Sequence, residues 1–421
     1  MAQDTSVTFR FHPVTTTPSI QQIDVMAQNG AANAKVKVCV FGSGTFGTAL
    51  GTVVARNGFT VTMLTRRDNV AESINTKHIN PQHLSDCKLP PLLSATTSPE
   101  EALTGCSFIV HCIPVQSTEG FLLPYKDIIP PDVPIISTSK GLHSETLETM
   151  AELVPRVLGR KQPMAYLSGP TFAKELMEAF PSGAVMASED KKVADDCAHL
   201  FHCGNFRIYT TNDVIGVEIG GALKNVYAVA AGAAEGMGLG VNTVGFLVTR
   251  ACAEMNMLAV AMGARPHTMA GLSGIGDLML TCMGGASRNK AVGARIGKGE
   301  SLKSILEERK KSLEGVAEGV ATAPAAEKLA KKLEVEAPLV MALASVLDGR
   351  ANIREAIMTL MTRPRSEDFS RLPHLKEEEV RRRCAPGPFN MSGKEWAAVA
   401  AVQAVALLGL GAAFFLRKKN A

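Results

Sequence analysis

Aromatic side chains are scarce in this 421-residue chain: one Trp, four Tyr and 16 Phe make up 5% of it. Nucleic-acid surfaces that work by stacking interleave aromatics with basic residues. Excess charge of one sign is missing as well, since 44 Lys and Arg stand against 40 Asp and Glu. The basic residues mix with acids, as in Lys376–Arg383 (KEEEVRRR), which reads as a solvated face with no footing for nucleic acid. The nine cysteines include no C-x-x-C pair and sit mostly in apolar runs (Cys39, Cys112, Cys252, Cys282), as reduced thiols do. One cluster, Cys197-x-His199-x-x-His202-Cys203, offers zinc-ligand types, but at a spacing of no familiar site. It falls in an amphipathic stretch that reads as helix, and no metal is expected. Residues 1–34 lack an apolar h-region and carry few basic side chains, so a disordered leader is expected there, and a weak plastid one is compatible with it.

What is present begins with Lys35–Gly51, KVKVCVFGSGTFGTALG. A β-branched run breaks into Gly42-x-Gly44-x-x-Gly47 and resumes with small helix formers. That is a strand, a turn and a helix start, as a dinucleotide pyrophosphate requires. Gly42 allows the tight turn, Gly44 lets backbone approach the phosphates, and Gly47 lets the helix pack on the strand. Ser43, Thr45 and Phe46 fill the intervening positions. Where an NAD-selective site carries an acid after the second strand, this chain has Leu64-Thr65-Arg66-Arg67. Arginine at Arg66 or Arg67 suits the 2′-phosphate of NADP, so both NAD and NADP stay open.

Strands are expected at Thr60–Leu64, Ser107–Ile113, Val133–Ser137, Ala165–Leu167 and Ala184–Ala187, alternating with helices as in a doubly wound parallel sheet. From about Asp213 strand signals stop, and Ala-, Gly-, Leu- and Met-rich runs predict an all-helical second domain. The expected division is a leader at 1–34, an α/β Rossmann domain at 35–210, a helical domain at 211–363, a linker at 364–394 and a C-terminal single transmembrane helix at 395–416, ahead of a basic tail at 417–421. Trp396–Leu416 is uncharged and about 21 residues long, which at about 1.5 Å per residue spans a bilayer core. Trp396 and Arg417-Lys418-Lys419 suit its two interfaces. A buried Ala-rich helix is the competing reading of this run. A tail anchor would hold the body at a membrane, facing the cytosol.

Three segments carry chemistry. Lys224, within GGALKNVYA, is a lysine on an apolar helix: either it snorkels to solvent, or burial lowers its pKa toward a proton donor's range. Asp277 sits in a glycine turn at a helix start, where a carboxylate is most often a cap. Arg288 and Asn289, after Ser287, offer a guanidinium and an amide suited to a phosphate.

GSGTFGTALG, STSKGL around Lys140, SGPTFAKEL at Ser168–Leu176, GALKNVYAVAAG and GLSGIGDLMLTC followed by SRN occur in this order. In this the chain resembles the NAD(P)-dependent glycerol-3-phosphate dehydrogenases, most closely their bacterial-type branch, over about Lys35 to Asp368. The resemblance implies reversible reduction of dihydroxyacetone phosphate to sn-glycerol 3-phosphate, a glycerolipid precursor, by a homodimer. It implies Lys224 as general acid, Lys140 as a second active-site lysine and Asp277 as the carboxylate that tunes them, with Thr281 lining the same site. Arg288 and Asn289 would hold the substrate phosphate, with Arg288 also near the cofactor, while Ser168 and Gly169 shape the wall. Phe46 and Phe172 would pack near the cofactor, and Glu314 would approach its ribose or nicotinamide end. Two other readings stand beside it: a β-hydroxyacid dehydrogenase-like enzyme, disfavoured by the SRN segment, and an inactive membrane-tethered nucleotide sensor.

Overall fold

The structure, a computed structural model, describes residues 33–312 and 317–364. Residues 1–32 of the expected leader, 365–394 of the expected linker, the Trp396–Leu416 span, the basic tail and Glu314 lie outside the described residues.

The apolar run Lys37–Phe41 forms β1, buried from Val38 onward, and the glycines that follow turn the chain into α1, Thr45–Arg56. Then come β2 (Thr60–Leu64), α2 (Asp68–Lys77), β3 (Leu93–Thr96), α3 (Pro99–Leu103), β4 (Cys106–His111) and α4 (Val115–Leu122). They are followed by β5 (Ile135–Ser137), α5 (Met150–Leu158), β6 (Met164–Ser168) and α6 (Ala173–Met177). The α/β part closes with β7 (Ser182–Ala187), α7 (Lys191–Phe201) and β8 (Phe206–Thr211). The sheet runs β3-β2-β1-β4-β5-β6-β7-β8. Strand order reverses beside β1, so the crevice beyond the carboxyl ends of β1 and β4 is where a ligand would lie in such a sheet.

The sheet is not wholly parallel. β6 and β7 pair antiparallel, with Leu167 opposite Met186, and β8 then runs parallel to β7. The link between β6 and β7 holds only the five-residue α6, about 7 Å of helix, too short to carry the chain back along the sheet. The sequence reading leaves β3 and β8 unassigned. The first is four residues long, and the second is an edge strand whose exposed and buried positions alternate. The 193–203 stretch is helical as far as Phe201; His202 and Cys203 lie beyond it, and no metal-ligand cluster exists among the described residues.

No strand follows Thr211 among the described residues. Asp213 caps α8 (Val214–Gly236), and its other carboxylate oxygen accepts from the Arg265 N–H, tying the helix start to a distant loop. Of the 23 residues of α8, 18 are buried, so this apolar helix is the core of the second half. Against it pack α9 (Val241–Ala261), α10 (Asp277–Met283), α11 (Arg288–Gly297), α13 (Glu318–Lys332) and α14 (Pro338–Leu347), while α12 (Leu302–Ser312) packs on α11 and α15 (Ile353–Met361) on α14. Glycine sets how closely α8 and α11 approach. A Cβ at Gly232 would lie 2.0 Å from the Lys290 carbonyl oxygen, and one at Gly293 would lie 1.9 Å from that of Val229. Nothing larger than glycine fits at that spacing.

Candidate active site

The glycine turn after β1 has the form a dinucleotide needs. Gly42 adopts φ +98°, open to glycine and strained for other residues. A Cβ at Gly47 would lie 2.1 Å from the Gly42 carbonyl oxygen, whereas at Gly44 it would meet nothing. The first clearance is internal packing, and the second faces open space where a phosphate could approach. No side chain caps α1 and its first turn holds no acid, so its N-terminal amides are free to meet an anion. Ser43 donates to Thr65 Oγ1 at 2.8 Å, and Asn80 Nδ2 donates to the Ser43 carbonyl at 2.9 Å and Thr48 Oγ1 at 2.8 Å, bracing the turn from the 78–92 loop. His83, from that loop, lies 3.2 Å from Thr45 Oγ1. Burial holds its pKa below the usual value, assisted by the positive fields of Arg288 and Arg67. Arg66 and Arg67 are exposed at the end of β2, and Phe46 is half-buried on α1.

Across the crevice, three elements converge on one carboxylate. Asp277, the first residue of α10, is fully buried. Its Oδ2 accepts from Lys140 Nζ at 2.7 Å, and its Oδ1 is in direct contact with Lys224 Nζ. Asp277 therefore does not cap its helix; it binds two ammonium groups. Burial alone would raise its pKa, but the Lys140 and Lys224 charges outweigh that and hold it low. Lys224 is 7% exposed. Desolvation pulls its pKa down to about 8, with Asp277 opposing and Lys140 assisting. Thr281, one turn after Asp277, donates to the Asp277 carbonyl at 2.6 Å and lies 3.4 Å from Oδ1.

Local glycines make this convergence feasible. At Gly220 a Cβ would lie 2.4 Å from the Ser273 carbonyl oxygen, and at Gly221 it would lie 2.9 Å from Ser168 Oγ. One glycine lets the segment before Asp277 reach α8, and the other admits the end of β6. Ser168 Oγ is buried without a hydrogen-bond partner, and the Gly169 carbonyl accepts from Lys140 Nζ at 3.3 Å. Phe172 packs its ring edge over Gly284, ahead of the Ser287-Arg288-Asn289 turn.

That turn places Arg288, exposed, at the first position of α11, with Ser287 capping the helix. Asn289 is buried and faces inward. Glu318, the first residue of α13, is a cleft carboxylate that the sequence reading does not name; Glu314 lies outside the described residues. Burial raises the Glu318 pKa, while the fields of Arg288, Lys224 and Lys140 pull the other way. Glu318, Lys140, Gly141, Val115, Gln116 and Thr322 border a cavity of about 50 Å³ at the N-terminal ends of α4 and α13. Three cations (Lys140, Lys224, Arg288) thus face two carboxylates (Asp277, Glu318), which leaves a site that favours an anionic ligand.

Comparison with known proteins agrees with this geometry. The family model described as NAD-dependent glycerol-3-phosphate dehydrogenase N-terminus matches residues 37–194, and that of the C-terminus matches residues 213–358. The chloroplastic glycerol-3-phosphate dehydrogenase [NAD(+)] of Oryza sativa subsp. japonica is 47% identical over 335 residues, covering 79% of this chain and 75% of its own. The glycerol-3-phosphate dehydrogenase [NAD(P)+] of Leptospira biflexa is 43% identical over 330 residues, covering 78% of this chain and 98% of its own. The crystal structure of glycerol-3-phosphate dehydrogenase from Coxiella burnetii superposes with a TM-score of 0.73 at 30% identity, over 78% of this chain and 99% of that one. With its glycine turn, its helical half and both family models in register, the chain belongs to the NAD-dependent glycerol-3-phosphate dehydrogenase family.

Proposed function

We propose that the chain catalyses the reversible NAD(P)H-dependent reduction of dihydroxyacetone phosphate to sn-glycerol 3-phosphate. The observation that carries this is the buried Lys224–Asp277–Lys140 cluster, opposite a dinucleotide-type glycine turn and beside Arg288. A nicotinamide seated on the Gly42–Gly47 turn would supply the hydride that the ketone carbon gains. Arg288 binds the substrate phosphate. Lys224, poised near neutrality, donates its proton to the ketone oxygen as that oxygen gains charge, and takes it back in the oxidative direction. Lys140 and Asp277 orient that ammonium and keep the site polarised for the developing alkoxide. Gly42, Gly44 and Gly47 seat the pyrophosphate, Glu318 borders the cofactor's reactive end, and Phe46 and Phe172 exclude water. The Rossmann half supplies the cofactor's seat up to about residue 210, and the helical half from 211 supplies the proton.

Nicotinamide absorbance with dihydroxyacetone phosphate, read on wild type and Lys224→Ala, tests the reaction. Turnover that collapses in the variant supports it, and a folded wild type that binds NADH without turning over would leave the sensor reading.

Beyond catalysis, residues 395–416 form a tail anchor that holds the body on the cytosolic side of a membrane; the length of the uncharged run 396–416 and its basic flank support this. Deletion of 395–421 with no loss from the membrane fraction would refute it. Two of the relatives are named chloroplastic, so plastid import is the rival destination, and a fluorescent fusion distinguishes the two. The dimer that the family resemblance implies is read by sedimentation.

A further inference from the structure

α8 carries Lys224 in the helical half, yet its first turns lie against the Rossmann half. Val214 and Val217 pack in the same apolar cluster as Met150, Leu153 and Tyr166, whereas Ile219, Ala222 and Leu223 pack in the helical core. At Gly221 a Cβ would lie 2.9 Å from Ser168 Oγ and 3.4 Å from Lys140 Cγ. At about 100° per residue, positions 214, 217, 218, 221 and 224 fall within an arc of about 120°. One stripe of α8 therefore faces the Rossmann half and ends on the proton-donating lysine. Val214, Val217 and Gly221 bring no hydrogen-bonding side chain to that stripe, and Glu218 does. Its Oε1 accepts from the Met150 N–H at 2.8 Å and the Ala151 N–H at 3.2 Å, the first two amides of α5. Its Oε2 lies 3.4 Å from the Ala151 nitrogen. Glu152 already serves this helix start, accepting from the Thr149 N–H at 2.9 Å, and its field works against a second negative charge. What Glu218 adds is reach across the junction. Asp213, at the start of α8, ties instead to Arg265 in the helical half, so two acids hold this helix from opposite sides.

We propose that Glu218 is a positioning residue: a latch from α8 to the start of α5 that sets how far along the Rossmann half Lys224 stands, and so brings its ammonium to Asp277. The proposal rests on the reading of the cleft given above. Packing alone would set this height loosely, because Gly220 and Gly221 present no side chain to interlock with the elements they touch. A slip of one residue along the axis would move Lys224 by about 1.5 Å. Misplacement by about 1 Å is enough to cost on the order of 100-fold in rate.

Three substitutions separate reach from charge and from stability. Glu218→Gln keeps the length and an acceptor oxygen for both amides without the charge, so kcat for dihydroxyacetone phosphate reduction should stay within about twofold of wild type. Glu218→Asp keeps the charge but is one methylene shorter, and Glu218→Ala removes the contact. Each should lower kcat by about tenfold or more, with NADH affinity unchanged. The titration of Lys224, read by competitive amine labelling and peptide mass mapping, should move in Glu218→Asp and Glu218→Ala and stay in place in Glu218→Gln, since the distance to Asp277 helps set it. Wild-type kcat per folded molecule in all three, with only Tm lowered, would make Glu218 a structural cap and overturn the latch. Glu218→Gln as impaired as Glu218→Ala would overturn it too, because charge rather than reach would then be in use. Should Glu218→Ala give no cooperative thermal melt, the other two substitutions decide alone. A wild type with no turnover would count against the dehydrogenase reading only, because the labelling of Lys224 still decides the latch.

Discussion

The two walls of the cleft present polarity in opposite ways. The Rossmann wall offers backbone: a glycine turn, an uncapped helix start and two exposed arginines, with little charge buried near them. The helical wall buries side-chain charge: its Asp277, fully enclosed, binds its own Lys224 and Lys140 reaching in from the Rossmann half, with glycines clearing space on each side. Holding a dinucleotide requires clearance and many weak donors, which a turn and a helix end provide without any ionisable group. Moving a proton requires a displaced pKa, which only desolvation next to a chosen counter-charge provides.

Removing the proton source should have the largest effect. Lys224→Ala is expected to lower kcat for reduction by about 10²- to 10⁴-fold, while NADH binds nearly as tightly as before, since the lysine belongs to the opposite wall. A comparable loss of NADH affinity, seen by fluorescence titration, would show that the walls are not separable in this way.

Two glycine substitutions sharpen the contrast. Gly47→Ala puts a methyl 2.1 Å from the Gly42 carbonyl oxygen, and its forced backbone shift should weaken NADH binding by about 10- to 100-fold. Gly293→Ala puts one 1.9 Å from the Val229 carbonyl oxygen, deep between α8 and α11. It should lower stability by about 1–3 kcal/mol, read as a drop in Tm, with NADH affinity per folded molecule unchanged. Equal effects of both substitutions on NADH would erase the distinction.

The same division explains what was readable in the amino-acid chain. The glycine turn is local: three glycines, a strand before and a helix after lie within residues 35–51, and the structure keeps that register. β2 also matches its expected bounds, because its apolar run is bracketed by turn residues. Burial of Lys224 was visible in its apolar helix, but its partner was not. Asp277 lies 53 residues away, and local pattern alone marked it as a cap. Glu318 and the bonds from Glu218 to α5 escaped for the same reason, since each depends on which helices meet. The antiparallel turn at β7 escaped because strand periodicity carries no direction.

The pH dependence should be smaller and opposite in the two directions. Reduction needs Lys224 protonated. With its pKa held near about 8 by burial, the reductive rate should be level below that value and fall about tenfold per unit above it. Oxidation needs the neutral amine and should rise through the same range to a plateau. Asp277→Asn removes the charge that opposes desolvation, so both midpoints should move to lower pH. A midpoint that stays put in Asp277→Asn would mean that another group controls the profile.

The smallest effect belongs to the exposed charges beside the glycine turn. Arg66 and Arg67 are exposed and keep their solvent, so neither gains the strength of a buried ion pair, and salt screens both. A 2′-phosphate resting against them would still be favoured over a ribose hydroxyl. Arg67 lies close enough to influence His83, which touches the glycine turn, so its field reaches the cofactor's seat. Arg66→Ala and Arg67→Ala should each lower kcat/KM with NADPH by about three- to tenfold, leave NADH nearly untouched, and lose their effect at high salt. If both cofactors weaken together, these arginines act on the shared pyrophosphate. The Rossmann wall would then owe part of its grip to side-chain charge, and the contrast between the walls would be one of burial alone.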